Sequence, residues 1–411
     1  MAGYALGIDL GTTYSAAAVH RDGQAQIVSL GTRSAAIPSV VYLNDDHTVV
    51  TGEAADRRGV TRADRVARGF KRRLGDTTPI LLGGAPHSAE SLMAKMLRAI
   101  ADKVAELEGG PAEHVAISHP ANWGPFKQDL LGQAIRLAEL TGATVLTEPE
   151  AAAIHYATSE HLPVGEIVAV YDLGGGTFDA AILRRTDAGF EILGEPEGIQ
   201  HLGGIDFDAA VFNHVRDALG GRIEELDTED QAAVASAARL REECIDAKEA
   251  LSSDPEVGIP VVLPNVVTEV RLTRPELERM IRPALSDTIA SLQRAMQSAK
   301  VTPAQVSRVL LIGGSSRIPL VAELVSGAIG RPIAIDAHPK FAVALGAAVA
   351  AAAAGAESTM SAVVETTHVA EVAELAELPE AEASPALPPP QSPPPPPPAE
   401  QPKQSKQPRR R

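Results

Sequence analysis

The sequence predicts a two-lobed α/β protein built from two similar halves, with a tail outside the fold. Three observations predict it. The stretch Ile167–Leu183, IVAVYDLGGGTFDAAIL, sets two apolar runs on either side of Asp172, Gly174, Gly175, Gly176 and Thr177. That is the pattern of a buried β-hairpin with a glycine turn. Tyr4–Val19, YALGIDLGTTYSAAAV, has the same grammar, with Asp9, Gly11, Thr12 and Thr13 around its turn. Two such hairpins far apart in one chain point to duplicated sheets facing one ligand. Finally, strands alternate with amphipathic helices as far as about residue 353, after which the composition changes abruptly.

The turns carry chemistry. Glycines there supply positive φ and leave backbone N–H groups uncovered, and a row of such groups forms a nest for anions. Asp172 and Asp179 flank the second nest. Acids beside an anion site require a cation between them, and a phosphate with Mg²⁺ is the economical reading. An ordinary glycine-rich hairpin at a sheet edge accounts for either stretch alone. The second copy argues against it.

Composition bounds the rest. The chain has 411 residues, long enough for two or three domains. Hydrophobic residues make up 45% but aromatics only 3%, so helices are expected to pack closely on sheets through Ala, Val, Leu and Ile. A net charge of −16 argues against general nucleic-acid binding. Cys244 is the only cysteine, expected as a small core residue. The N-terminus enters a strand without a signal-peptide pattern, and the alanine-rich run Ala342–Ala354 is too short for a bilayer. A cytoplasmic protein is the expectation.

In order, Ile37–Asn44 and Val49–Thr51 read as strands, and Val60–Arg73 as a polar, basic stretch. Ser88–Glu108 is helical, with Leu92, Met96, Ala99, Ile100 and Val104 at helical spacing and Gly109-Gly110-Pro111 stopping it. His114–His119 reads as a buried strand, Phe126–Leu140 as a helix, Val145–Leu146 as a strand and Ala151–Thr158 as a short helix. Pro163-Val164-Gly165 reads as the turn between lobes. Beyond the central hairpin, Phe190–Glu197 continues the meander, and Ile205–Leu219 and Thr228–Ser252 are helices. Val257–Leu263 and Glu269–Leu272 are strands, and Thr273 caps the helix Arg274–Ser298. Val309–Ile312 is a buried strand, Ile318–Ala328 a helix, Ile333–Ile335 a strand and Pro339–Ala353 a last helix. The expected division is residues 1–164 as the first lobe, with an insert at about 37–111, and 165–355 as the second, with an insert at about 204–281. Residues 356–411 are expected to be a disordered, proline-rich tail with a basic end, primarily a solvated spacer. Binding to a protein module through the proline run, or to an anionic surface through the basic end, is the alternative role.

No G-x-x-x-x-G-K-[ST] occurs, so this is not a Walker-A protein. Instead, GIDLGTTYS (Gly7–Ser15), FKRRLG (Phe70–Gly75), TEPEAAAIHYA (Thr147–Ala157), DLGGGTFD (Asp172–Asp179), HLGGIDFD (His201–Asp208) and LIGGSSRIP (Leu311–Pro319) occur in order. Together they are specific, and over roughly residues 3–353 the chain resembles the nucleotide-binding domain of the DnaK-type heat-shock 70 kDa chaperone family. The resemblance implies a two-lobed actin-like ATPase fold with duplicated ribonuclease-H-like sheets, ATP or ADP as ligand, Mg²⁺, and K⁺ as an accompanying cation. It also implies chaperone and stress-response functions and a separate protein partner or co-chaperone. By the resemblance, Gly11, Thr12, Thr13, Tyr14, Gly174, Gly175, Gly176 and Thr177 bind the nucleotide, with Thr12, Thr13 and Thr177 as donors to its phosphates, and Asp9 and Asp172 hold Mg²⁺ through water. Lys71, Glu148, Asp172, Thr177 and Asp179 are the implied catalytic set, acting by positioning and charge neutralisation. Gly203, Gly204, Lys248, Ser252, Gly313, Gly314, Ser315 and Arg317 line the nucleoside side.

Departures from the family lie on that side. Ile245 stands where the family has an acid, Glu249 where it has an arginine, Ile205 where it has an acid, and Lys340 where it has the acid after proline. Loss of the arginine removes one face of a cation–π sandwich on adenine, so a weakened or retuned adenosine affinity is expected. No peptide-binding β-sandwich or recognisable apolar interdomain linker follows in this sequence. Pro120 of the family's interdomain relay is present, but Gln128 stands at its arginine. The histidines show no compact ligand spacing, and Trp123 is expected in a turn, for packing or a partner contact. The leading expectation is a slow Mg²⁺-dependent ATPase whose nucleotide state a separate partner reads. The alternatives are a non-hydrolysing nucleotide sensor or scaffold that displays the tail, and an actin-like filament protein.

Overall fold

The computed structural model describes residues 3–227, 230–335 and 339–356. The proline-rich tail, the expected helix start at Thr228 and one of the histidines, His338, lie outside the described residues.

Two sheets repeat one plan. In the first, Ala5–Leu10 is central. On one side it pairs in parallel with His114–His119, which pairs in parallel with Thr144–Thr147. On the other side the antiparallel neighbours are Tyr14–Arg21 and then Gln24–Ile27. In the second sheet Ile167–Leu173 is central, with Val306–Ile312 and Ile333–Ile335 parallel on one side. Phe178–Thr186 and Gly189–Ile199 are antiparallel on the other. The two glycine hairpins therefore occupy equivalent central positions, and each carries its aspartate, Asp9 or Asp172, at the C-terminal end of the central strand. Burial of both faces explains the continuous apolar runs of these strands.

Small residues let the parts approach closely. The chain is helical over 342–356, and this helix contributes Ala342, Val343, Ala347 and Ala351 to a core shared with Ala5, Ala116 and Leu146 of the first sheet and Val168, Val170, Leu310 and Ile312 of the second. A Cβ on Gly7 would collide with the backbone of Ala344 and Ala348, and one on Gly346 with the Ala151 carbonyl. The alanine-rich run is thus a packing element, which the low aromatic content anticipated in kind but not in place.

Differences from the sequence expectation are local. The segment after Thr51, for which no element was expected, forms a helix, Gly52–Gly59. Its low hydrophobicity hid it. The strand expected over Ile37–Asn44 is broken at Ser39 into Ile37–Pro38 and Val40–Leu43. Ser39 turns aside because it is spent on the first hairpin: its N–H donates to Thr13 O (2.8 Å) and its hydroxyl to Gly11 O (2.7 Å). A short hairpin, Ile80–Leu82 with Ala85–His87, was not expected. The helix expected to start at Ala151 begins at Glu148, because Thr147 caps it, accepting from the Glu150 N–H at 3.3 Å. Cys244 is buried in the core, as expected.

Candidate functional site

Both glycine loops line one cavity of about 300 Å³. Gly11, Thr12, Thr13 and Tyr14 come from the first hairpin, and Gly174, Gly175, Gly176 and Thr177 from the second. The loops touch: a Cβ on Gly175 would collide with the Thr13 side chain, and one on Gly176 with Thr12 and Arg72. Glycine is required at these positions by close approach, rather than by φ. The second loop is held from outside. Gly174 O accepts from the Gly204 N–H (3.1 Å) and the Ser315 hydroxyl (2.9 Å), Gly175 O from the Ile205 N–H (2.8 Å), and Gly176 O from Arg72. With these carbonyls taken, no hydrogen bond among the described residues takes up the N–H of Gly175 or Gly176. Those groups remain for an anion.

Gly313 lies against the same hairpin. Its φ of 81° is a conformation L side chains avoid, and a Cβ there would meet Leu173 O and Asp172. Gly203, by contrast, is not in the cavity lining. It sits behind the loop, where a Cβ would strike Gly174–Gly176, and its N–H donates to Asp206 at 2.8 Å.

The cavity also contains a charge imbalance. Lys71 stands in the 3₁₀ turn Phe70–Arg73, which Gly69 opens at φ 60° and buried Phe70 anchors. Its Nζ lies 2.5 Å from Glu148 Oε1, the first residue of its helix, and both side chains are buried. Asp9 and Asp172 line the same cavity, while Asp179 lies outside its lining, in a small adjoining pocket that Thr12, Lys71 and Thr177 also line, so four carboxylates surround one ammonium. Burial pushes the Asp9 carboxyl up to about 7, with Glu148 adding to the rise. Burial and Glu148 likewise push Asp179 up to about 8. Asp172 is raised well above the usual carboxylate range by burial, then by Glu148, Asp179 and Asp9. Burial opposes the charge of Lys71, yet Glu148, Asp9 and Asp179 outweigh it and hold its pKa above the ordinary lysine value.

That donor set fits Mg²⁺. The site has excess negative charge, and Asp179 Oδ1 is buried without a hydrogen-bond partner. Among the described residues no three acidic, histidine or cysteine groups are arranged to hold an ion directly. An ion here would keep several of its own waters, as Mg²⁺ prefers.

The remaining part of the lining is more apolar and ends in cations. Ile205, Ile245, Ile318 and Val343 line it with Lys248, Ser252, Arg317 and Lys340. Lys248 Nζ pairs with Asp208 Oδ1 at 2.5 Å, and Lys340 with Glu249 at 3.5 Å. Apolar walls with a few fixed polar groups are what a flat heterocycle needs.

A family model described as Hsp70 protein matches residues 5–81 and 77–369. The chain belongs to the Hsp70 family. Chaperone protein DnaK of Cenarchaeum symbiosum (strain A) is 29% identical over 355 residues, covering 84% of this chain and 53% of the relative. This Hsp70-family chain thus spans about half the length of the curated relative it matches. The match, together with two sheets of one plan, makes it a homologue of the Hsp70 nucleotide-binding domain with an actin-like α/β fold. Among the described residues no helix is long and apolar enough to cross a membrane.

Two residues in this Hsp70-family site escaped sequence reasoning. Arg72 contacts Gly176 O and lies 3.4 Å from Asp206, tying the Lys71 turn to the second hairpin. Asp208 partners Lys248. Both lie inside quoted motifs, so their positions were visible but their partners, far off in sequence, were not. Trp123, expected in a turn, is buried there, stacked on His119 at 6.0 Å and 5.7 Å from the Lys71 ammonium. Gln128 donates to Trp123 O at 2.9 Å.

Proposed function

We propose that this Hsp70-family protein binds ATP and ADP with Mg²⁺ and hydrolyses ATP slowly, as a chaperone-related switch read by a separate protein. One observation carries the reading: glycine loops from both sheets line a single cavity that also holds Lys71, Asp9 and Asp172. Thr12, Thr13 and Thr177, with the N–H groups of Gly175 and Gly176, bind the phosphate oxygens. Asp9 and Asp172 would hold Mg²⁺, which would supply neutralisation of the phosphate charge. Lys71, fixed by Glu148, places its ammonium toward the terminal phosphate. Asp179, with an unpartnered oxygen, and Glu148 orient the attacking water. Water oxygen bonds to the terminal phosphorus as the bond to the bridging oxygen breaks, giving ADP and inorganic phosphate. No covalent nucleophile is needed, because positioning and charge stabilisation suffice for phosphoryl transfer.

Calorimetric titration with ATP and ADP in Mg²⁺, repeated on Asp9→Asn, tests the binding. Micromolar to low-millimolar affinity that falls in the variant supports it. Absence of binding by the unaltered protein ends it. Steady-state hydrolysis by the unaltered protein and Lys71→Ala tests the chemistry. Equal background rates for both leave a non-hydrolysing nucleotide sensor.

A further inference from the structure

We infer that Lys340, tethered by Glu249 and set beside Tyr14, is the residue that positions the nucleoside of the bound nucleotide. The inference rests on the nucleotide-binding reading above and deepens it.

Three separate elements meet at this point of the cavity. Glu249 lies in the last turn of the helix Gln231–Ala250. Lys340 precedes the helix over 342–356, and Tyr14 opens the strand Tyr14–Arg21 of the other sheet. Lys340 Nζ lies 3.5 Å from Glu249 Oε1 and 5.7 Å from the centre of the Tyr14 ring. Its stem runs over the Gly313–Ser315 loop, with Cε 3.2 Å from where a Cβ on Gly314 would be. All three side chains line the cavity, and Tyr14 is 46% exposed, so packing does not account for an aromatic residue there.

The electrostatics single out the same lysine. Besides burial, Glu249, Asp56, Asp208 and Asp246 push the Tyr14 hydroxyl up, so this rim is acidic. An acidic rim repels an anionic ligand. Lys248 faces Asp208 and is buried, whereas Lys340 is partly exposed and on the cavity wall. Arg317 also lines the cavity and is exposed. A heterocycle in this part of the cavity shares its lining with two cations, Lys340 and Arg317, and with Ile245 and Ile318 as apolar walls. Glu249 restrains the lysine. Two of the four nucleoside-side positions where the sequence departs from its resemblance, Glu249 and Lys340, are therefore one matched pair, and these two changes compensate each other.

The test separates nucleoside recognition from attraction of phosphate. Affinities for Mg²⁺–ADP and for Mg²⁺–tripolyphosphate, which has no nucleoside, are measured by calorimetry on the full chain. The variants are Lys340→Met, Lys340→Glu and the exchanged pair Lys340→Glu with Glu249→Lys. The expected result for Lys340→Met is a loss of ADP affinity of about five- to tenfold with tripolyphosphate unchanged. Lys340→Glu, which sets two carboxylates against each other, loses about tenfold or more, and the exchanged pair returns to within about threefold of the unaltered protein. Unchanged ADP affinity in Lys340→Met overturns the inference, as does an equal loss for both ligands or no recovery in the exchanged pair. If the unaltered protein binds neither ligand, the nucleotide reading itself falls, and this inference with it.

Discussion

Lys71 and Glu148 form an ion pair of 2.5 Å inside a cluster that holds three further carboxylates, Asp9, Asp172 and Asp179. The pair joins the 3₁₀ turn Phe70–Arg73 to the first turn of the helix after Thr144–Thr147. Because acids outnumber the lysine, removing either sign has opposite consequences for the metal-free protein. Lys71→Met leaves Glu148 buried without its cation and should cost about 3–5 kcal/mol. Asp179→Asn removes a carboxyl that the fold must keep protonated at neutral pH, at nearly constant shape, and should stabilise by about 0.5–2 kcal/mol. Urea unfolding of metal-free protein checks both. Destabilisation of similar size in both variants would mean that the carboxylates are not in excess.

The raised carboxyls give a pH dependence of defined sign. Asp9 and Asp179 hold their protons up to about 7 and about 8, against an ordinary aspartate value near 3.8. Between those limits the folded metal-free protein binds more protons than the unfolded chain. Its stability from these groups is therefore full below about pH 4 and is lost as pH rises through 7 to 8. Mg²⁺ competes with the same protons, so Mg²⁺–nucleotide binding should release protons and tighten from pH 6 to pH 8.5. Titrations in two buffers of different ionisation enthalpy count the protons. Uptake on binding, or no exchange, contradicts the assignment.

Glycine positions in the packing elements can be set against one another. A Cβ on Gly346 would meet the Ala151 carbonyl, a backbone atom that cannot step aside, whereas one on Gly327, in the helix Pro319–Ile329, meets nothing within 4 Å. Gly346→Ala should destabilise by about 1–3 kcal/mol through overpacking. Gly327→Ala should stabilise by about 0.4–1 kcal/mol, because it restricts the unfolded chain. Thermal unfolding of the two variants side by side gives the comparison.

Much of this was legible in the chain because the decisive features are local. The strand, Asp, glycine and strand order of each hairpin appears within a dozen residues, so the two central strands and their aspartates follow from the sequence. The helix Gly52–Gly59 was not legible, since its apolar content is too low for periodicity to stand out. The break at Ser39 was invisible for another reason: its cause is Gly11 and Thr13, reached only in three dimensions. Likewise Ile245, Glu249 and Lys340 could be seen as departures one by one. Only the fold brings Lys340 to Glu249, and so turns two apparent losses into a pair.

The nucleoside side yields a last prediction about the ribose. Two carboxylates line the cavity there, Asp208 and Glu249, and both are engaged, by Lys248 at 2.5 Å and Lys340 at 3.5 Å. Ile205 and Ile245 also line this side and accept no hydrogen bond. Each carboxylate is already held by a lysine charge, so a ribose hydroxyl is expected to gain little from either, and a hydroxyl that gains little on binding is weakly selected for. ATP and 2′-deoxy-ATP should bind within about threefold of each other. Ile245→Glu supplies a charged acceptor, worth about 1.5–3 kcal/mol when a hydrogen bond to it forms. Part of that is offset by drawing the new carboxylate out of water and by the acids around it, Asp246 and Glu249 among them. The net gain expected for ATP is about tenfold, with a smaller gain for the deoxy analogue, so the variant should discriminate where the unaltered protein does not. Competition titrations with the two nucleotides measure the ratio directly. More than tenfold discrimination by the unaltered protein would show that one of the engaged carboxylates leaves its lysine to meet the ribose.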